Sequence, residues 1–118
     1  MWPFRRTRSA SLSADEALAL VAEGATILDV RENSEWNAGH APGAVHIPLS
    51  QVAAQAGRRL PKGRRVVVVC RSGARARGAT KTLAGLGIDA VLLRGGMRAW
   101  ESAGGRVVTK GNRPGTIA

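Results

Sequence analysis

Cys70, the chain's one cysteine, ends the run Val66-Val67-Val68-Val69 and opens the stretch Arg71-Ser72-Gly73-Ala74-Arg75. An ionised thiol is a strong nucleophile, and two arginines close by in sequence would attract an anionic substrate. Gly73 permits positive φ, which a tight loop needs if successive N–H groups are to turn inward. Arg71, Ser72, Gly73, Ala74 and Arg75 are therefore candidate substrate-binding residues around Cys70. A lone thiol so placed is a candidate nucleophile or sulfur carrier. The plainer reading, an inert buried thiol, explains the valines but not the basic loop.

Loop length narrows the chemistry. The spacing from Cys70 to Arg75 is Cys-x4-Arg, whereas cysteine-dependent phosphatases use Cys-x5-Arg around a tetrahedral phosphoryl group. Here the x5 position holds Ala76, and Arg77 lies one further on. A shorter loop encloses less space, which suits a terminal sulfur on the cysteine better than a phosphate monoester. Sulfur chemistry is favoured over phosphoryl transfer and arsenate reduction.

The elements that must position this loop alternate along the chain. Ser13-Ala14-Asp15-Glu16 has capping-box spacing before Ala17, Leu18, Leu20 and Val21 at helical intervals. Thr26 to Val30 reads as a buried strand, Ser34 to Gly39 as one helical turn with a serine cap, and Ala44 to Ile47 as a short strand closed by Pro48. A modest helix is expected from Gln51 to about Leu60. The valine strand follows, then a helix over 74–86 with Ala76, Ala79, Leu83 and Leu86 on one side. Ala90 to Leu93 reads as a further strand, and Met97 to Ala103 as a short helix with Trp100 inside. This alternation, with nearly all-apolar strands, predicts an α/β domain with a mainly parallel sheet flanked by helices on both faces. Residues 1–10 read as a mobile basic arm, 11–108 as one domain, and 109–118 as a mobile tail.

In such a sheet, ligands bind outside the carboxyl ends of the strands. Asp29 and Arg31 follow one strand, Cys70 another, and Arg94-Gly95-Gly96 a third. The Cys70 loop feeds a helix N-terminus, whose free N–H groups and positive dipole end favour an anion. Asp29 and Arg31 read as loop-supporting residues that bond to each other and to backbone, because buried charges need partners. Glu35 and His40 read the same way, Trp36 and Trp100 as core, and Gly43, Gly95 and Gly96 as turn residues.

Composition bounds the rest. The 118 residues fit one compact domain, and a single Cys excludes an internal disulfide. His40 and His46 are too few partners for a metal site, and nothing calls for a cofactor. No stretch approaches a membrane span and the start lacks a signal-peptide pattern, so a soluble cytoplasmic domain without membrane contact is expected. Eighteen Lys and Arg against eight Asp and Glu give a net charge of +10. Those charges are scattered, and one Phe, no Tyr and three Trp leave little for base stacking. The expectation is therefore no nucleic-acid partner, but a solvated basic surface whose field draws small anions.

Three segments together resemble a single-domain rhodanese-like sulfurtransferase over roughly residues 11–108. Leu28-Asp29-Val30-Arg31-Glu32, with Glu35-Trp36 and Gly39-His40-Ala41-Pro42-Gly43-Ala44, is similar to the family's first signature. Cys70 to Arg75 resembles its active-site loop, and Leu93-Arg94-Gly95-Gly96-Met97 with Trp100 its second signature. The resemblance implies a Cys70 persulfide, formed from a donor such as thiosulfate and discharged to cyanide or a thiol. It also implies, as a competing arrangement, a relay that takes sulfur from a protein persulfide. Ala76 stands where the family often has Ser or Thr, and His46 where it often has Asn, so His46 is given no catalytic role. A different class of function, a non-enzymatic module docking an acidic partner through its basic face, fits the charge but not the retained cysteine.

Overall fold

A valine run with no polar interruption must be covered on both sides, and the fold does this with a five-stranded sheet between helices. The structure is a computed structural model that describes residues 11–118; the arm expected over 1–10 lies outside the described residues. The strands are β1 (Ser11–Leu12), β2 (Thr26–Asp29), β3 (Val45–His46), β4 (Val66–Val69) and β5 (Ala90–Leu93). They run in the order β1-β5-β4-β2-β3, and every pairing is parallel. The helices are α1 (Ala14–Ala22), α2 (Asn33–Ala38), α3 (Val52–Arg59), α4 (Ala74–Gly85) and α5 (Gly96–Ser102).

Side chains alternate across a strand, so the valines divide by parity. Val66, Val68 and Cys70 face α3 and α4, where they meet Val52, Ala56, Ala76, Ala79 and Leu83. Val67 and Val69 face the other layer, formed by Ala17 of α1 and by Met97 and Trp100 of α5. Central placement between β2 and β5 buries all four valines completely. Cys70 thus belongs to the α3/α4 face and emerges at the carboxyl end of the sheet. No helix among the described residues is long and apolar enough to cross a membrane.

Four details differ from the sequence reading. β1 carries no signal in the sequence, since two residues paired with Leu92 and Leu93 are too short for a period. α2 starts two residues early, with Glu32 rather than Ser34 at the cap, and the Glu32 N–H donates to the Glu35 carboxylate at 2.9 Å. Leu86 lies beyond the end of α4 and is 50% exposed, not on its inner side. The segment 109–118, expected as a mobile tail, is laid back on the domain. Its backbone bonds Val107 and Ala38 through the N–H groups of Gly115 and Thr116, and Ile117 packs against the α1/α5 layer. The glycine-rich sequence hides this, because apart from Ile117 the contacts run backbone to backbone and need no apolar periodicity.

Candidate active site

Parallel pairing brings the end of β4 beside the end of β2, so Cys70, Asp29 and Arg31 share one rim of the sheet. The Cys70 side chain is almost wholly buried, and its Sγ accepts a hydrogen bond from the Gly73 N–H at 3.0 Å. Gly73 takes φ +113°, outside the range of L side chains, and caps α4. The free N–H groups of the first turn of α4 and its positive dipole end therefore stand at the sulfur's loop.

The outer side of the loop is fixed by α5. The Met97 N–H donates to the Cys70 carbonyl at 2.8 Å, and the Arg98 N–H to the Arg71 carbonyl at 3.3 Å. This close approach is what Gly96 makes room for. A Cβ at that position would sit 2.3 Å from the Cys70 oxygen and 2.6 Å from the Arg71 oxygen, at a φ of +59°. Gly96→Ala is therefore expected to cost about 1–3 kcal/mol and to displace the loop. Chemical denaturation of the variant, with sulfur-transfer rates alongside, checks both effects.

Asp29 and Arg31 form a completely buried ion pair. Arg31 donates to both carboxylate oxygens, with Nη2 at 2.8 Å and Nε at 2.9 and 3.1 Å, and its backbone N–H adds a 3.0 Å bond. Nη2 also reaches the Gly39 carbonyl at 2.6 Å, tying the end of β2 to the end of α2. His40, half-buried on that turn, bonds the Trp36 carbonyl through Nδ1 at 2.8 Å, and its backbone pairs with Val108.

The two loop arginines are both engaged. Arg75 makes a two-pronged pair with Glu35, at 2.7 and 2.8 Å, so it enters the site as a fixed charge and not as a free hand. Arg71, half-buried, donates from Nε to the backbone oxygen of Ala118 at 2.7 Å. Ser72 and Ala74 are exposed and form the solvent side of the loop. Among the described residues, no group of three or more His, Cys, Asp and Glu is placed to hold a metal ion.

Trp36 is not core, as the sequence suggested, but half-buried between two imidazoles. His40 stacks on it at 3.6 Å between centroids and His46 at 4.7 Å, both nearly parallel. His46 also bonds the Arg31 carbonyl through Nε2 at 2.8 Å. The stack braces α2 against β3 beside the buried pair. Apolar patterning could not reveal it, since its members come from separate elements.

Rhodanese-like domain is the family whose sequence profile matches residues 13–103 of this chain. The chain belongs to the rhodanese-like family. It is 34% identical over 102 residues to the thiosulfate sulfurtransferase GlpE of Pseudomonas entomophila, covering 86% of this chain and 93% of that one. It is 39% identical over 79 residues to YrkF of Bacillus subtilis, described as a candidate sulfur carrier protein. That match covers 66% of this chain but only 42% of the longer relative. A crystal structure of a rhodanese-related protein from Thermoplasma volcanium superposes with a TM-score of 0.78 at 29% identity, covering 85% of this chain and 98% of that one. These likenesses support sulfur transfer as the class of reaction and a transferase role.

In this rhodanese-like domain the clamp between α2 and the loop should resist acid. The Arg75 guanidinium holds the Glu35 carboxyl down to about 2 from an ordinary 4.5. A depressed carboxyl stabilises the fold fully above its unfolded value and loses that contribution as pH falls through the folded one. The stability gap between the native chain and Glu35→Gln is therefore expected to be constant above about pH 5 and to close towards pH 2. With both partners partly reached by solvent, its size is on the order of 1 kcal/mol. Urea unfolding across that pH range measures it.

Proposed function

We propose that the chain moves a sulfane sulfur from thiosulfate, or from a protein persulfide, to a thiophilic acceptor through a persulfide on Cys70. The observation that carries this reading is the Gly73 N–H aimed at Sγ within a Cys-x4-Arg loop. The Cys70 thiolate attacks the outer sulfur of thiosulfate, forming the Cys–S–S bond as the bond between the two thiosulfate sulfurs breaks. Sulfite leaves with that electron pair. An acceptor such as cyanide or a thiolate then attacks the terminal sulfur, and the Cys70 thiolate is released. The sulfane sulfur is itself the oxidant of the acceptor, so no external oxidant is needed, and no general base is needed while the thiol reacts in its ionised form.

The loop residues divide the work. N–H groups from Gly73 and the start of α4 stabilise the anionic persulfide, in the manner of an oxyanion hole. Arg71 would meet the incoming anion by exchanging its bond to Ala118 for one to the donor, and Arg75 supplies fixed positive charge behind the loop. Asp29, Arg31, Glu35 and His40 hold the loop's surroundings in place without touching the sulfur. Ala76 leaves the helix start without a hydroxyl, so backbone donors carry the anion.

The expected outcome with thiosulfate and cyanide is catalytic formation of thiocyanate and sulfite. Failure with thiosulfate but turnover with a low-molecular-weight persulfide would move the donor assignment to a persulfide relay. Failure with both contradicts the sulfurtransferase mechanism.

A further inference from the structure

The other pole of the domain carries an unassigned feature. A hollow of about 510 Å³ opens between the end of α3 and the turn joining α4 to β5. It lies at the start of β4, one four-residue strand away from Cys70, or roughly 13 Å. Leu60, Leu86 and Ile88 give it apolar walls, and Lys62, Arg64 and Arg65 stand on its edge. Leu86 is the one large apolar side chain that stands exposed among the described residues.

Charge on this pole is one-sided. Lys62, Arg64 and Arg65 fall within one short segment of the lining, which includes a single acid, Asp89. Asp89 meets Arg65 at 3.4 Å without a hydrogen bond, leaving the Arg65 Nε shielded from water and unbonded. Lys62 and Arg64 form no ion pair with any described residue. The lining has no aromatic side chain, so it lacks the stacking surface that single-stranded nucleic acid uses. An exposed apolar side chain in a cationic rim is the complement of an acidic chain with an apolar anchor.

We propose that this hollow docks an acidic peptide segment of a partner protein, which seats an apolar side chain against Leu86 and pairs its carboxylates with Lys62, Arg64 and Arg65. The site lies away from the sulfur and does not depend on Cys70 chemistry. A partner held there would remain bound while sulfur is loaded and discharged at the other pole.

Fluorescence anisotropy with a labelled peptide of alternating Glu and Leu tests this on the full chain. Saturable binding is expected, weakened at least about tenfold by Leu86→Glu or by Arg64→Glu and changed less than about twofold by Lys81→Glu, Lys110→Glu or Cys70→Ser. The two effective substitutions are at exposed positions, and matched unfolding midpoints confirm that both variants fold. An all-Glu peptide should bind at least about fivefold more weakly, because it lacks the anchor. Absent binding, equal losses from Lys81→Glu and Arg64→Glu, or tighter binding of single-stranded poly(U) overturns the proposal. So does dimerisation of the free protein that Leu86→Glu abolishes, or a groove freed only by deleting residues 1–10, since each assigns a different occupant.

Discussion

Replacing Asp29 with alanine is expected to destabilise the domain by about 3–5 kcal/mol, the largest loss for any single substitution at this rim. The pair it breaks is completely removed from water, and Asp29 accepts four bonds from Arg31. Removing the carboxylate leaves a guanidinium in the interior with only the Gly39 carbonyl, and one nitrogen, Nη1, already has no protein partner. Arginine cannot escape by losing its proton. A small domain has only about 5–15 kcal/mol to lose, so the variant should unfold at a much lower urea concentration. Asp29→Asn, which keeps an acceptor but no charge, should fall between the two. A loss under about 1 kcal/mol for Asp29→Ala would mean that water reaches Arg31 and that the pair is not a structural anchor.

Cys70→Ser is expected to lower sulfur transfer by at least about a thousandfold while leaving the fold intact. The loss follows from chemistry, because a serine hydroxyl stays protonated at neutral pH and its oxygen cannot form a sulfane link. The fold is preserved because serine is similar in size and keeps an acceptor for the Gly73 N–H. Steady-state thiocyanate formation beside an unfolding curve separates the two expectations. Activity within about tenfold of the native chain would remove Cys70 from the reaction, since this is a loss that nucleophile removal cannot give.

What could be read in advance follows physical range. Val66 to Val69 declared a strand covered on both faces, and its parity decides which helices meet Cys70. The α4 helix and the Cys-x4-Arg loop are contiguous in sequence, so their spacing was legible as chemistry. The Glu35 to Arg75 clamp joins residues 40 positions apart, and only strand order brings them together. Arg75 therefore read as a substrate hand when it is already held. The stack of Trp36 between His40 and His46 stayed hidden for the same reason. Leu86 fits the helical period but is the first residue after the end of α4, and that one-residue difference puts it in solvent. Glycine and charge over 109–118 suggest mobility, whereas the backbone of this segment pairs with Val107 and Ala38.

The docking pole and the sulfur rim sit at opposite ends of β4. The basic side chains thus divide between the Cys70 loop, with Arg71 and Arg75, and a separate cationic edge with Lys62, Arg64 and Arg65. Neither requires the other, and their tests read different signals.

Intact-mass measurement after brief incubation with thiosulfate tests the central claim most directly. The chain has one sulfhydryl, so any persulfide has a single place to form. The expected result is a gain of about 32 Da, removed by cyanide and absent from Cys70→Ser, as the nucleophile role requires. No gain from thiosulfate or from a persulfide donor, or a gain that survives Cys70→Ser, would contradict it.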